Sequence, residues 1–186
     1  MSRLSEIVAG ISCFSVLAVV ATATWVAIRP TAAHASSGPP NITDHRDCAQ
    51  AAAVADYFFA YDPQEHADAQ LLGPTGVADV KRDICGLLAG ARGSEGIIAV
   101  LDQVSAKEKS ALIAAGELLL SSGAMARSKA AGASSDDLIL HPEKYMSVGD
   151  AEKVRTLLVE EARAGAKARI IGWILYSVYG LQYAPK

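Results

Sequence analysis

The stretch TGVADVKRDICGLLAG, residues 75–90, decides the fold. Val77, Val80, Ile84, Leu87 and Leu88 recur every three or four residues, the spacing that gathers side chains on one face of an α-helix. Lys81, Arg82 and Asp83 take the opposite face, and Cys85 falls near the end. Upstream, residues 44–60 read DHRDCAQAAAVADYFFA, with Cys48, Ala51, Ala52, Ala55, Phe58 and Phe59 on one stripe. Thr43 is the expected N-cap of this first helix, and Asp62-Pro63 is expected to stop it. Residues 62–74, with Pro63, Gly73 and Pro74, are expected to form a loop. Cys48 then lies early in the first helix and Cys85 late in the second. An antiparallel hairpin brings those ends together, so a Cys48–Cys85 disulfide is expected in an oxidising compartment, and two buried thiols in a reducing one.

Downstream, the spacing continues to be helical. Ser94 is the expected cap of a short third helix running through Val104. Ser105-Ala-Lys-Glu108 has the form of a capping box and is expected to open a fourth, to about Ser128, with Leu112, Ala115, Leu118 and Leu119 inward. Residues 129–149 are small, polar and turn-rich, and read as flexible, with a short helical turn at 142–146. Asp150 is expected to cap a final helix reaching Tyr183. Nowhere does a run alternate β-branched and polar residues as a half-buried strand would. The expected fold class is all-α, a bundle of four to five helices.

Residues 7–28, Ile7 to Ile28, form an apolar run without charge that meets the roughly 20 residues of a membrane span. Two readings stay open. One is an uncleaved signal anchor ending at Arg29-Pro30. The other is a signal peptide cleaved after Ala33-His34-Ala35. Either way the chain divides into residues 1–29 as signal anchor or signal peptide, residues 30–43 as a Pro/Ser/Gly linker, and residues 44–186 as a helical extracytoplasmic domain. The expected location is the inner membrane facing the periplasm, or the periplasm or exterior if the run is removed. The membrane is a partner through residues 7–28 if they stay.

The charge balance, 17 Lys and Arg against 20 Asp and Glu, excludes an ordinary nucleic-acid binder, which carries a basic patch. The histidines, His34, His45, His66 and His141, show no helical i, i+4 pair, and no Cys-x-x-Cys exists, so neither metal nor cofactor is expected. Asp44-His45-Arg46-Asp47 reads as an acidic helix start, and Asp62 to Asp68, with Glu65 and His66, as a solvated loop. Gly86, Gly90, Gly93 and Gly96 follow a helix and lack the Gly-Lys-Ser/Thr of a phosphate loop, so they mark a helix end and a turn. Neither Gly-x-Ser-x-Gly nor Ser-x-x-Lys is present, so no catalytic residue is assigned.

The C-terminal stretch carries the functional expectation. Ile171, Ile174, Leu175, Val178 and Leu181 form a core stripe, while Trp173, Tyr176 and Tyr179 include positions off it, where rings can meet a partner. Trp173, Tyr176 and Tyr179 are therefore the candidate interaction surface. The expected function is a non-catalytic, exported or membrane-anchored interaction protein, an accessory subunit of a cell-envelope complex that meets a partner protein or a second copy. The alternatives are an enzyme with a site assembled across helices, and a small membrane protein whose second span is residues 168–184.

Overall fold

Asp62 ends one helix and begins the next. Its backbone N–H donates to the Phe58 carbonyl at 2.9 Å, closing α1 (Cys48–Tyr61). Its carboxylate accepts from the N–H groups of Gln64 and Glu65 at 2.9 and 3.2 Å, opening α2 (Pro63–Gly90) with Pro63 in its first turn. Proline suits that position because its missing N–H is one the helix start leaves unpaired anyway. The expected loop at 62–74 is thereby corrected. Residues 63–72 are helical, and the break is confined to Gly73 (φ 66°, ψ 175°) followed by Pro74. Only glycine adopts that backbone without a steric penalty. The computed structural model describes residues 38–184, so the apolar run at 7–28 lies outside the described residues.

Three further helices follow: α3 (Gly93–Ser121), α4 (Ala124–Ala130) and α5 (Ser135–Leu140). A 3-10 turn at Pro142–Lys144 leads into α6 (Val148–Tyr179). The described residues hold six α-helices and no strand, which is the expected class with short helices added. Ser105 opens nothing. Buried Ile97, Leu101, Val104, Ala111, Ala115 and Leu119 run through it on one stripe of α3, and packing along that stripe keeps the helix continuous. Leu112 and Leu118 flank the stripe instead of lying on it.

Three other caps differ from expectation. Arg92, not Ser94, precedes α3, and no side chain caps it. Asp47, not Thr43, caps α1, accepting from Ala49 and Gln50 N–H at 2.9 and 3.2 Å. Ser147, not Asp150, caps α6: its hydroxyl accepts from Asp150 N–H at 3.2 Å and donates to the Asp150 carboxylate at 2.9 Å. The last helix ends at Tyr179 because Gly180 adopts a left-handed conformation (φ 66°) and returns its N–H to Tyr176 at 2.8 Å. Leu181, beyond that cap, is exposed, not part of the core stripe. Tyr183 donates its hydroxyl to Asp102 at 3.0 Å and holds the tail on α3.

The disulfide is present: Cys48 and Cys85 join the start of α1 to the last turns of α2, with Cα atoms 5.0 Å apart. Around it lies the main core, where Val54, Ala55, Val80, Ile84, Leu88, Ile97, Leu101, Ile170, Ile171, Ile174 and Leu175 are all sealed from solvent. Ile42, in the stretch read as linker, is buried in the same core. The central helix is α6, which packs against α1, α2 and α3. At its middle Ala164, Gly165 and Ala166 are buried in succession, so neighbours cover it on several sides. Residues 129–149, read as flexible, are tied together: Arg127 donates to the carbonyls of Tyr145 and Ser122, and Tyr145 and Lys144 both bind Asp137. Among the described residues no helix is long and apolar enough to cross a membrane, so 168–184 supplies no second span.

Candidate functional site

Two features stand apart from ordinary packing. The first is aromatic. Trp173, Tyr176 and Tyr179 follow one another at three-residue steps along α6, and Tyr57, Phe58 and Tyr61 end α1. The rings join into a ladder across both helices. Centroids lie 5.0 Å apart for Tyr61–Tyr57, 6.1 Å for Tyr57–Phe58, 6.0 Å for Phe58–Trp173 and 5.8 Å for Trp173–Tyr176. These are distances at which tilted or edge-on rings attract. The ladder is unequally covered: Phe58 and Trp173 are half-buried, while Tyr61 is 71% and Tyr176 48% exposed.

Tyr179, the third residue of the expected surface, is 36% exposed, but its hydroxyl has a partner within the protein. Its hydroxyl lies 3.1 Å from His45 Nδ1, and His45 Nε2 lies 3.1 Å from the Ala91 carbonyl. A carbonyl only accepts, so Nε2 carries the proton, and in the neutral ring Nδ1 accepts from Tyr179. His45 is buried and ties the segment before α1, the α2–α3 turn and the end of α6 to one another. Asp44 lies 3.9 Å away and is taken up by Arg46, whose backbone N–H and then side chain hold the Asp44 carboxyl below its ordinary range. His66 is exposed beside Gln70. The glycines at 86–96 form the end of α2 and the turn into α3, as their spacing suggested.

The second feature is a polar knot inside the bundle. Arg169 of α6 donates to Glu65 and to Asp68 of α2, and its third nitrogen lies 3.8 Å from Glu108 of α3. Glu161, two turns earlier on α6, is near enough to feel the charges of Asp68, Glu108 and Arg169. Glu65 is wholly buried and Asp68 nearly so. Burial pushes the carboxyls of Glu65, Asp68 and Glu108 up, opposed by Arg169. Glu161 is pushed up to about 7, first by burial, then by Asp68 and Glu108, with Arg169 only partly offsetting them. For Arg169 burial works against the charge, and Glu65, Asp68 and Glu108 more than compensate. Glu65 Oε2 is buried and accepts no hydrogen bond from the described residues.

Gly165 makes room for this arrangement. A Cβ there would lie 2.9 Å from Arg169 Nη1 and 3.0 Å from Glu108 Oε1. Apolar packing resumes on either side of the knot. Along α3, Leu101 and Val104 precede Glu108, and Ala111 and Ala115 follow it. Among the described residues no group of three or more His, Cys, Asp or Glu side chains is placed to hold a metal ion.

Glu161 and Arg169 were not singled out from sequence; Glu65 and Asp68 were read as part of a solvated loop and Glu108 as the end of a capping box, whereas the structure buries Glu65 and Asp68 and gathers all three acids at Arg169. Their signal was a charge on a core stripe. Glu108 continues the series 97, 101, 104 and precedes 111, 115, 119. Glu65 and Asp68 precede the series 76, 80, 84, 88 of α2, and Glu161 follows 151, 154, 158 of α6. No protein-family model matches this chain, and no curated protein or solved structure is found similar to it.

Proposed function

We propose that this chain is a non-catalytic interaction protein that docks onto a partner protein through the aromatic face of α1 and α6, as an accessory subunit of a cell-envelope complex. The observation that carries the reading is the ladder Tyr61–Tyr57–Phe58–Trp173–Tyr176, anchored on half-buried rings and open at Tyr61 and Tyr176. Tyrosine and tryptophan concentrate binding energy at protein interfaces because each buries a large rigid area at small entropic cost and keeps a polar tip. Asp56 and Asp62 flank the α1 rings, and the chain is acidic overall, which favours a protein partner over an anionic lipid surface. The envelope setting is supported by the apolar run at 7–28 together with the disulfide.

Reading the chain as an enzyme draws no support from the polar knot, because Glu65 and Asp68 are closed to solute. The test uses the full chain in native membranes. Tyr61→Ala with Tyr176→Ala should reduce co-purification of the partner by about tenfold or more while the melting temperature stays put, since both rings are largely outside the core. Ile113→Ala, on the exposed side of α3, serves as the control and should change nothing. Equal recovery by the double variant and the wild type would remove this face from the proposal.

A further inference from the structure

The knot at Arg169 holds more negative charge than the protein neutralises. From α2 it receives Glu65 and Asp68, with Asp62 at the helix start also acting on both. From α3 it receives Glu108, and from α6 Glu161 and, as the one cation among the described residues, Arg169. The other cations of that stretch of α6 are engaged elsewhere: Arg163 faces Asp79 at 3.9 Å and Lys167 binds Asp83 at 3.1 Å. Four carboxyls drawing on one guanidinium cannot all stay ionised cheaply when Glu65 is wholly and Asp68 nearly buried. The unpartnered, fully buried Oε2 of Glu65 makes the same point independently, since a bare carboxylate oxygen in the interior calls for a hydrogen-bond donor. A proton bound within the knot lowers the cost of that burial.

The segment most dependent on the knot is 63–72. It carries Glu65 and Asp68, and the helical hydrogen-bond ladder that would brace it against the rest of α2 is interrupted at Gly73–Pro74. We propose that the knot binds a proton at neutral pH and that this proton latches the 63–72 half of α2 onto α3 and α6, with Gly73 as the hinge. Proton loss leaves three uncompensated negative charges shared by three helices, and the half-helix beyond the hinge yields first. The direction follows from linkage. A carboxyl that holds its proton in the folded chain up to about pH 7, against an ordinary value of 4.5, favours the latched state below that range and ceases to do so as pH rises through it.

Hydrogen exchange on the full chain, normalised to intrinsic exchange rates, reads the latch directly. Between about pH 5.5 and about pH 8.5, protection of the 63–72 amides in the wild type should fall by about tenfold or more, while amides of 170–175 keep theirs. Glu161→Gln, which is neutral at every pH, should keep 63–72 protected throughout. A wild type whose 63–72 protection does not change, or a Glu161→Gln chain that loses it equally, overturns the latch. Should Glu161→Gln fail to fold, carbon-detected titration of the wild-type carboxyls decides the matter. A carboxyl titrating near neutrality with Glu161's assignment supports the latch, and the absence of any carboxyl titrating above about pH 6 overturns it.

Discussion

Replacing Arg169 by Met tests the interior electrostatics most directly. The side chain keeps much of its length and apolar stem, so the change is chiefly the loss of the cation paired with Glu65, Asp68 and Glu108. Removing one member of a buried ion pair typically costs about 3–5 kcal/mol, because the partner charge is left desolvated and alone. Arg169 itself is a third exposed, which screens part of its field, so the lower end of about 3 kcal/mol is expected near pH 8. The carboxyls can escape by protonating. Their values are already raised, and without Arg169 they rise further, so acidification should return stability at up to about 1.4 kcal/mol per pH unit for each proton taken up. Urea denaturation at about pH 5 and about pH 8 should therefore show a deficit that shrinks toward the acid side. A variant as stable as the wild type at pH 8, or a deficit independent of pH, would refute the account of the knot.

Other perturbations have simpler outcomes. Cys48→Ala with Cys85→Ala opens a loop closed over 37 residues and should lower stability by about 4 kcal/mol on the chain-entropy scale, measurable as a shift of the urea midpoint. Leu175→Ala empties a fully buried site in the main core and should cost about 2–5 kcal/mol by the same measurement. Ser147→Ala removes the α6 cap, with an expected loss of about 1 kcal/mol visible as a small drop in melting temperature.

The class of the fold was legible because apolar spacing at three and four residues is imposed by the helix itself, and α1, the second part of α2 and α6 all display it. The Cys48–Cys85 pairing followed from where the two cysteines fall in an antiparallel hairpin. Boundaries were less legible, for physical reasons that differ from case to case. Asp-Pro is a stop signal for one helix and a start signal for another, and at Asp62 both apply at once. Ser105-Ala-Lys-Glu108 satisfies the capping-box pattern, yet packing of Leu101, Val104 and Ala111 along one stripe outweighs it. The knot was hidden because a lone acid on an apolar stripe reads as a helix start or a loop until its partner, here Arg169 about 100 residues away in sequence, is brought beside it. The exposed rings of Tyr61 and Tyr176 were half legible: Tyr176 lies off the α6 stripe, whereas Tyr61 joins the face only because α1 packs along α6.

The junction at Asp62 has no slack, and that sets a rule for how the chain tolerates length changes. Each residue added to a helix advances its facing by about 100°. An insertion between Tyr61 and Pro63 would therefore turn Glu65 and Asp68 out of phase with Arg169, and it would strain the alignment of Cys85 with Cys48 at the far end of the hairpin. One extra residue would disturb an ionic contact and a covalent one together, although they lie at opposite ends of α2. The turn at residues 131–134, by contrast, has Gly132 in a left-handed conformation and small exposed neighbours, and joins two short helices that anchor neither bond. Length variation in natural or engineered versions of this chain should accumulate there and be purged at residue 62.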